Sequence, residues 1–324
     1  MAQPQNISHD HHYVPRLLLK RFTDNDGNLW VYDALLRRKF KTGPSRAGQE
    51  TDFYALDGQH PPDSIEKFLA QAVDGPGADA IEGLINGEHL TSSRIMGFMF
   101  FVAAQLQRTP NAFQRLSDVL SPIFKEMCLR MVRFDQDFRQ SLSKSLSENG
   151  SSADDIREFF QFLERGEFKV GPSRELVLVQ SLKLIDGLGV ELSKMNWKFA
   201  DLDSNDADLI LGDHPVILED SGPPEIPPRP LGIRNPYLQI LMPFHPRKVA
   251  LGSWEGVPCY GSLRPGAAAE INELTLGHAH RFVYTSRDSD QILEQAVRLR
   301  GSGPRVNVQH WKRGATLEIR TEYK

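Results

Sequence analysis

The densest group of ionisable side chains lies near the start of the sequence, where His9-Asp10-His11-His12 precedes Tyr13-Val14-Pro15-Arg16. If this segment is extended, His9 and His11 share one face and His12 lies on the other. At most two imidazoles and a carboxylate from elsewhere could then meet one metal ion, so the run indicates a divalent-metal site only weakly. A histidine can also act as a general base, and the competing interpretation is a histidine hydrogen-bonded inside a structural turn.

A second polar group interrupts the most apolar stretch, residues 95–106. Arg94, Phe101, Gln105 and Arg108 are separated by 7, 4 and 3 positions, which places them on one stripe of a helix. Gln105 and Arg108 are therefore predicted neighbours. In a helix this apolar they must find carboxylates, backbone carbonyls or a bound anion, and the alternative is a helix end at the surface with Arg108 tied to a local acid.

A third polar group, Gly212-Asp213-His214-Pro215, divides two apolar runs at residues 209–211 and 216–217. Such a turn at the end of a buried strand can present a carboxylate and an imidazole at a sheet edge. Asp213 could equally bond to its own backbone in an Asx turn, and a structural role is favoured for His214. Asn272 and Glu273 are expected on the solvated face of a helix.

Several catalytic signatures are absent from the sequence: the Gly-rich dinucleotide fingerprint, the phosphate-binding loop, Gly-x-Ser-x-Gly and His-Glu-x-x-His. Nucleotide-binding folds, serine hydrolases of the nucleophile-elbow type and zinc metalloproteases therefore lose support. Cys128 lies in an apolar helical run and is expected to be a packed thiol.

The elements that must position these groups divide the chain into a hairpin region (1–60), a helical region (61–195) and a strand-rich region (196–324), predicted to form one domain. A hairpin is expected from residues 29–32 and 38–42, on either side of turn-forming residues. Apolar periodicity predicts a helix from Asp63, a break at Gly75-Pro76-Gly77 and a short helix to Leu84.

Further helices are expected in the centre of the chain. Thr91 is a predicted cap for a helix to about Arg108, and Thr109-Pro110 begins another that runs to Phe134 with a kink or break at Pro122. Residues 141–152 are expected to be a mobile connection, followed by helices at 154–165 and 173–194. The remaining predictions are strands at 197–200, 209–211, 239–241, 249–251, 282–284 and 316–319, helices at 267–279 and 288–300, and an exposed proline-rich loop at 220–236.

Composition sets the class of protein: 324 residues, 40% hydrophobic and 25% charged, with a net charge of −4. These values are typical of a globular chain and give no global attraction to nucleic acid or to an anionic membrane. Two cysteines and the lack of a secretory signal predict a cytoplasmic location, and no membrane partner is expected.

Nearly the whole chain, in order and spacing, resembles the bacterial family known as domain of unknown function 4238. The resemblance is carried by His11-His12-Tyr13-Val14-Pro15-Arg16, by Gln105-Leu106-Gln107-Arg108-Thr109-Pro110, by Gly212-Asp213-His214-Pro215-Val216 and by the Asn272 helix. Relatives often have Ser-Asp-Asn-Pro at the third motif, which argues against a required imidazole at His214. The family implies no established activity.

The sequence therefore predicts an α+β fold, with a helical centre packed on a mixed or antiparallel sheet from the C-terminal half and the N-terminal hairpin. We expect the motifs to converge on one pocket, with His12, Asp213 and Gln105 as catalytic residues and Arg16, Arg108 and Tyr13 as substrate-binding residues. Such a pocket suits hydrolysis of a phosphodiester, a nucleotide or another anionic substrate, with or without a divalent metal. The alternative is a non-catalytic module that binds a protein or nucleic acid, in which the polar cluster is structural.

Overall fold

The computed structural model of the chain describes residues 7–58, 61–223, 225, 231–255, 260–303, 306–313 and 316–323. The fold is α+β, as predicted, with mixed and antiparallel sheets. The chain divides into two compact units, one of residues 1–113, 178–307 and 322–324 and one of residues 114–177 and 308–321. All three sequence motifs lie in the first unit.

The strands are β1 (Asp10–His12), β2 (Leu29–Asp33), β3 (Arg38–Thr42), β4 (Gln49–Thr51), β5 (Asn196–Asp201), β6 (Leu211–Gly212), β7 (Ile217–Asp220), β8 (Leu238–His245), β9 (Lys248–Ser253), β10 (Tyr260–Ser262), β11 (Phe282–Thr285), β12 (Val306–Arg313) and β13 (Thr316–Tyr323). The helices are α1 (Arg16–Leu19), α2 (Ser64–Leu69), α3 (Gly75–Ile85), α4 (Ser92–Gln107), α5 (Pro110–Phe134), α6 (Gln136–Glu148), α7 (Ala153–Arg165), α8 (Arg174–Leu192), α9 (Ala267–His278) and α10 (Asp290–Leu299).

The predicted hairpin forms from β2 and β3, and β2 also pairs with β11, so the four-stranded sheet has the order β3-β2-β11-β6. The other large sheet has the order β10-β5-β9-β8-β7 and is antiparallel except for the parallel pair of β10 and β5. The N-terminal hairpin therefore does join strands of the C-terminal half, but in a sheet separate from the five-stranded one.

Helix α4 covers the five-stranded sheet. Phe98 makes edge-on ring contacts with Trp197, Phe199 and Phe244, at centroid separations of 6.1, 5.4 and 6.2 Å. All four rings are nearly inaccessible to solvent, so this aromatic group is a principal part of the core. The helix begins as predicted, with the Thr91 hydroxyl accepting a bond from the N–H of Arg94.

The predicted break at Gly75-Pro76-Gly77 is wrong, because a π-helical turn at Ala70–Asp74 carries α2 directly into α3. Pro76 is the second residue of α3 and directly follows the π-helical turn. Gly77 is required for another reason: a Cβ there would lie only 2.5 Å from the ring of Phe101. Gly77 thus lets α3 approach α4 closely, and neither glycine of this segment ends a helix.

The second unit corrects a further expectation, since α6 occupies most of the segment 141–152 that was predicted to be a mobile connection. Asp135 caps α6 by accepting from the N–H of Phe138 at 2.9 Å. The connection is confined to the few residues between α6 and the capping box of Ser152 and Asp155 that begins α7. Helix α5 also runs through Pro122 without interruption.

One sequence prediction, the proline-rich loop at 220–236, falls partly outside the described residues. Among the described helices, none is long and apolar enough to cross a membrane.

Candidate active site

His12 ends β1, a strand of three residues that pairs with β4 and lies beside α2. Its backbone N–H donates to Glu66 Oε1 at 2.9 Å, and its ring Nδ1 lies 3.4 Å from the same oxygen. Nε2 is buried and has no hydrogen-bond partner among the described residues. If the ring proton is on Nδ1, facing Glu66, Nε2 presents a lone pair, which is the arrangement of a carboxylate-oriented general base.

Glu66 is held in its charged form by this contact. Burial alone would raise the pKa of the Glu66 carboxyl, but the bonds from the ring and the backbone N–H of His12 outweigh burial and lower that pKa below its ordinary value. A charged carboxylate beside Nδ1 fixes the orientation of the ring and stabilises an imidazolium.

The neighbouring histidines have structural partners. His11 is buried; its Nδ1 accepts from the N–H of Tyr54 at 2.9 Å, and its Nε2 lies 3.2 Å from the carbonyl of Ser8. Exposed His9 pairs with Asp52 at 2.7 Å. Across the described ranges no three His, Cys, Asp or Glu side chains are arranged to hold a metal ion.

Gln105 and Arg108 are neighbours, as the helical spacing predicted. With the amide oxygen of Gln105 turned toward Arg108, it accepts from Nε at 2.9 Å and also from Nη2. The guanidinium forms a two-pronged ion pair with Asp74, at 3.2 and 2.8 Å, and lies 5.8 Å from the ring centroid of Phe101. Arg108 is thus tied to a local acid although only 1% of its surface is exposed.

The Asp213 carboxylate is also hydrogen-bonded within the protein. It accepts three backbone N–H groups, from His280 at 2.7 Å, Arg281 at 2.7 Å and Phe282 at 2.8 Å. Burial raises the pKa of this carboxyl, and the three donors act in the opposite direction. The side chain fastens the turn after β6 to the start of β11, a longer-range contact than an Asx turn.

His214 and Thr109 join the second and third motifs through a buried hydrogen bond of 2.9 Å between Nδ1 and Oγ1. Thr109 also accepts from the N–H of Ala112, which confirms its predicted capping of α5. The first motif joins the second through Tyr54, whose hydroxyl donates to the carbonyl of Arg108 at 3.1 Å and lies 3.3 Å from that of His12.

Tyr13 and Arg16 lie in different surroundings. Tyr13 is buried near Tyr284 and Asp213; burial, followed by the charge of Asp213, raises the pKa of its hydroxyl well above the ordinary value. Arg16 is exposed at the first position of α1, which packs against the turn Pro44–Arg46. Arg46 is exposed as well.

The structure thus brings the three motifs together, chiefly through backbone groups and buried partners. Sequence reasoning missed four residues that lie against the motifs: Tyr54, which links the first two, and Glu66, Asp74 and Gln49, which each lie beside one. Glu66 belongs to a correctly predicted helix, but nothing in its spacing indicates a contact with a residue 54 positions away. Asn272 was expected to be solvated, yet it accepts from the N–H of Ile210 and donates to the carbonyl of Asp208.

A family model described as protein of unknown function, DUF4238, matches residues 10–289. No curated protein and no solved structure matches the chain.

Proposed function

The chain belongs to the DUF4238 family, and from the surroundings of His12 we propose that it is a hydrolase of phosphodiesters, nucleotides or other anionic substrates, with His12 as general base. The observation that carries the proposal is the ring of His12, which has Nδ1 beside a charged carboxylate and an unpartnered, buried Nε2. Of the three residues predicted to be catalytic, His12 is the one with a buried side-chain atom, Nε2, that has no hydrogen-bond partner among the described residues.

Hydrolysis at this site would combine attack of water on phosphorus with transfer of a proton from that water to His12. His12 Nε2 takes a proton from water while the water oxygen forms a bond to phosphorus. The bond from phosphorus to the leaving oxygen breaks, and that oxygen takes up the proton from the imidazolium or from solvent. The products are a phosphomonoester and an alcohol, and Glu66 stabilises the imidazolium that forms in between.

Arg16 is proposed to bind the anionic part of the substrate. It follows His12 by four positions, and Arg46, on the turn that contacts α1, precedes Gln49 of β4 by three. Both guanidinium groups are exposed, and an arginine can bind a phosphate through two parallel hydrogen bonds.

The other residues predicted for the site act behind it in this proposal. Gln105 orients Arg108, and the carbonyl of Arg108 is bonded to Tyr54, which also contacts the backbone of His12. Asp213 fastens the third motif to the start of β11, and Tyr13 of the first motif lies buried near Asp213 and Tyr284. These residues would position the segment that carries His12 and Arg16.

The test is hydrolysis of bis(4-nitrophenyl) phosphate, 4-nitrophenyl phosphate and a set of nucleotides by the wild-type chain and by His12→Gln. Loss of a positioned general base typically lowers kcat by about 100-fold or more. His9→Gln is the matched control, because His9 is exposed and pairs with Asp52. Hydrolysis that persists in His12→Gln would contradict the proposal.

A second candidate function is a binding module without catalysis. It is favoured because the charged groups of Asp213 and Arg108 are both hydrogen-bonded to other parts of the protein. Their charged atoms face internal donors or acceptors, as expected of a structural network. The basic residues of the hairpin are largely paired too: Lys39 with Asp288 and Asp290, and Lys41 with Asp24. Binding of single-stranded oligonucleotides by the wild-type chain, unchanged in His12→Gln and without turnover, would favour this candidate.

A further inference from the structure

Two buried polar atoms near the end of β1 have no hydrogen-bond partner among the described residues: His12 Nε2 and Gln49 Oε1. They belong to residues that lie directly opposite each other, because β1 and β4 are antiparallel and His12 pairs with Gln49. Residues opposite each other in a two-stranded ladder project their side chains to the same face. The two atoms therefore come from neighbouring side chains.

His12 and Gln49 form a non-hydrogen-bonded pair of the antiparallel strands, which brings their side chains closer than a hydrogen-bonded pair would. The backbone N–H of His12 donates to Glu66 of α2, so it points away from β4. A residue whose N–H points away from the partner strand belongs to a non-hydrogen-bonded pair, in which the Cβ atoms are closest, at about 4.5–5.5 Å. An imidazole and an amide of this reach can converge on one small molecule between their ends.

The chemistry of the two atoms specifies that molecule. Gln49 Oε1 is an acceptor, and His12 Nε2 is an acceptor when the ring proton faces Glu66. Both are satisfied at once by a group that carries two donor hydrogens. Water is the smallest such group, and a buried water is expected where polar partners of this kind lie within reach.

We infer that Gln49 is a positioning residue that, with His12, holds the nucleophilic water; this inference rests on the proposed hydrolase function. One hydrogen of the water points to His12 Nε2, which is the proton removed as the oxygen attacks. The second points to Gln49 Oε1, which fixes the direction of the oxygen lone pairs. Nothing in the sequence motifs marks Gln49 for this role, since it lies outside all three.

The test combines high-resolution crystal structures of the full chain with kinetics on bis(4-nitrophenyl) phosphate. In the wild type we expect one water within about 2.6–3.2 Å of both His12 Nε2 and Gln49 Oε1. Gln49→Leu should lose this water and lower kcat at least tenfold with KM unchanged. Gln49→Glu is the matched variant: it keeps an acceptor at the same place and should keep the water.

A wild-type structure with no water bridging the two atoms would overturn the inference, whatever the activity. So would a Gln49→Leu variant that keeps both the water and kcat. A bridging water in a wild-type chain that hydrolyses none of the substrates would support the water site and overturn the proposed function.

Discussion

His214 and Thr109 are hydrogen-bonded at 2.9 Å inside the first unit, 105 positions apart in the chain. The bond fastens the turn after β6 to the first residues of α5. Because both side chains are buried, the loss of His214 leaves the Thr109 hydroxyl with only the hydrogen bond from the N–H of Ala112 among the bonds described here, at a position shielded from water.

His214→Leu should therefore lower the free energy of unfolding by about 1–3 kcal/mol, the cost of an unsatisfied buried polar group. His214→Asn should cost less, because an amide can still reach the Thr109 hydroxyl. Urea denaturation followed by circular dichroism measures both. Equal losses for the two variants would show that the size of the side chain at position 214, and not its hydrogen bond, determines its contribution to stability.

Asp213→Ala should be more damaging, because three backbone N–H groups lose a side-chain acceptor at once. We expect a loss of about 3–5 kcal/mol, and a smaller loss for Asp213→Asn, which keeps one acceptor oxygen. Thermal denaturation gives the comparison. A stable Asp213→Ala protein that had lost hydrolysis would instead assign Asp213 directly to catalysis.

Arg108→Met should destabilise the protein by about 3–5 kcal/mol, since it leaves Asp74 without its cation and Gln105 without its donor. Adding Asp74→Leu should recover part of that loss, because the uncompensated charge is then removed as well. A double-mutant cycle in urea measures the coupling. Additive losses would mean that the ion pair contributes nothing beyond its separate side chains.

The lowered pKa of Glu66 predicts that the stability of the protein depends on pH. Its pKa is lowered in the folded protein, so the stabilisation is fully present above the ordinary carboxyl pKa of about 4.3 and is lost as the pH falls through the lowered value. The stability difference between wild type and Glu66→Gln should therefore shrink as the pH is lowered below about 4. Exposed Glu273 provides the control, Glu273→Gln. A difference that stays constant with pH would contradict the assigned contact between Glu66 and His12.

The long elements could be predicted from the sequence because their signals are local. The Thr91 cap, the Thr109-Pro110 start and the 3.6-residue spacing of Gln105 and Arg108 each act within a few positions. The errors arose where a local signal was overruled by packing: Gly77 permits close contact between two helices, and the serine-rich segment near 145 is helical within the second unit.

The candidate site was predictable only in outline. The three motifs were recognised and do meet, but strands as short as β1 and β4 carry no periodicity. The pairing of His12 with Gln49 and the contact with Glu66 follow from how α2 and β4 pack around β1. The hydrogen bonds that the Asp213 carboxylate accepts come from the backbone N–H groups of residues 280–282, and no pattern of side chains in the sequence reveals them.

The most direct test of the account is the tautomer of His12, read from nitrogen-15 chemical shifts of histidine-labelled protein at a pH where the ring is neutral. His12→Gln assigns the signal, and Glu66→Gln removes the carboxylate partner. The account predicts the proton on Nδ1, facing Glu66, with Nε2 unprotonated. A proton on Nε2 would contradict the account, because that nitrogen could then neither take a proton from water nor serve as the base.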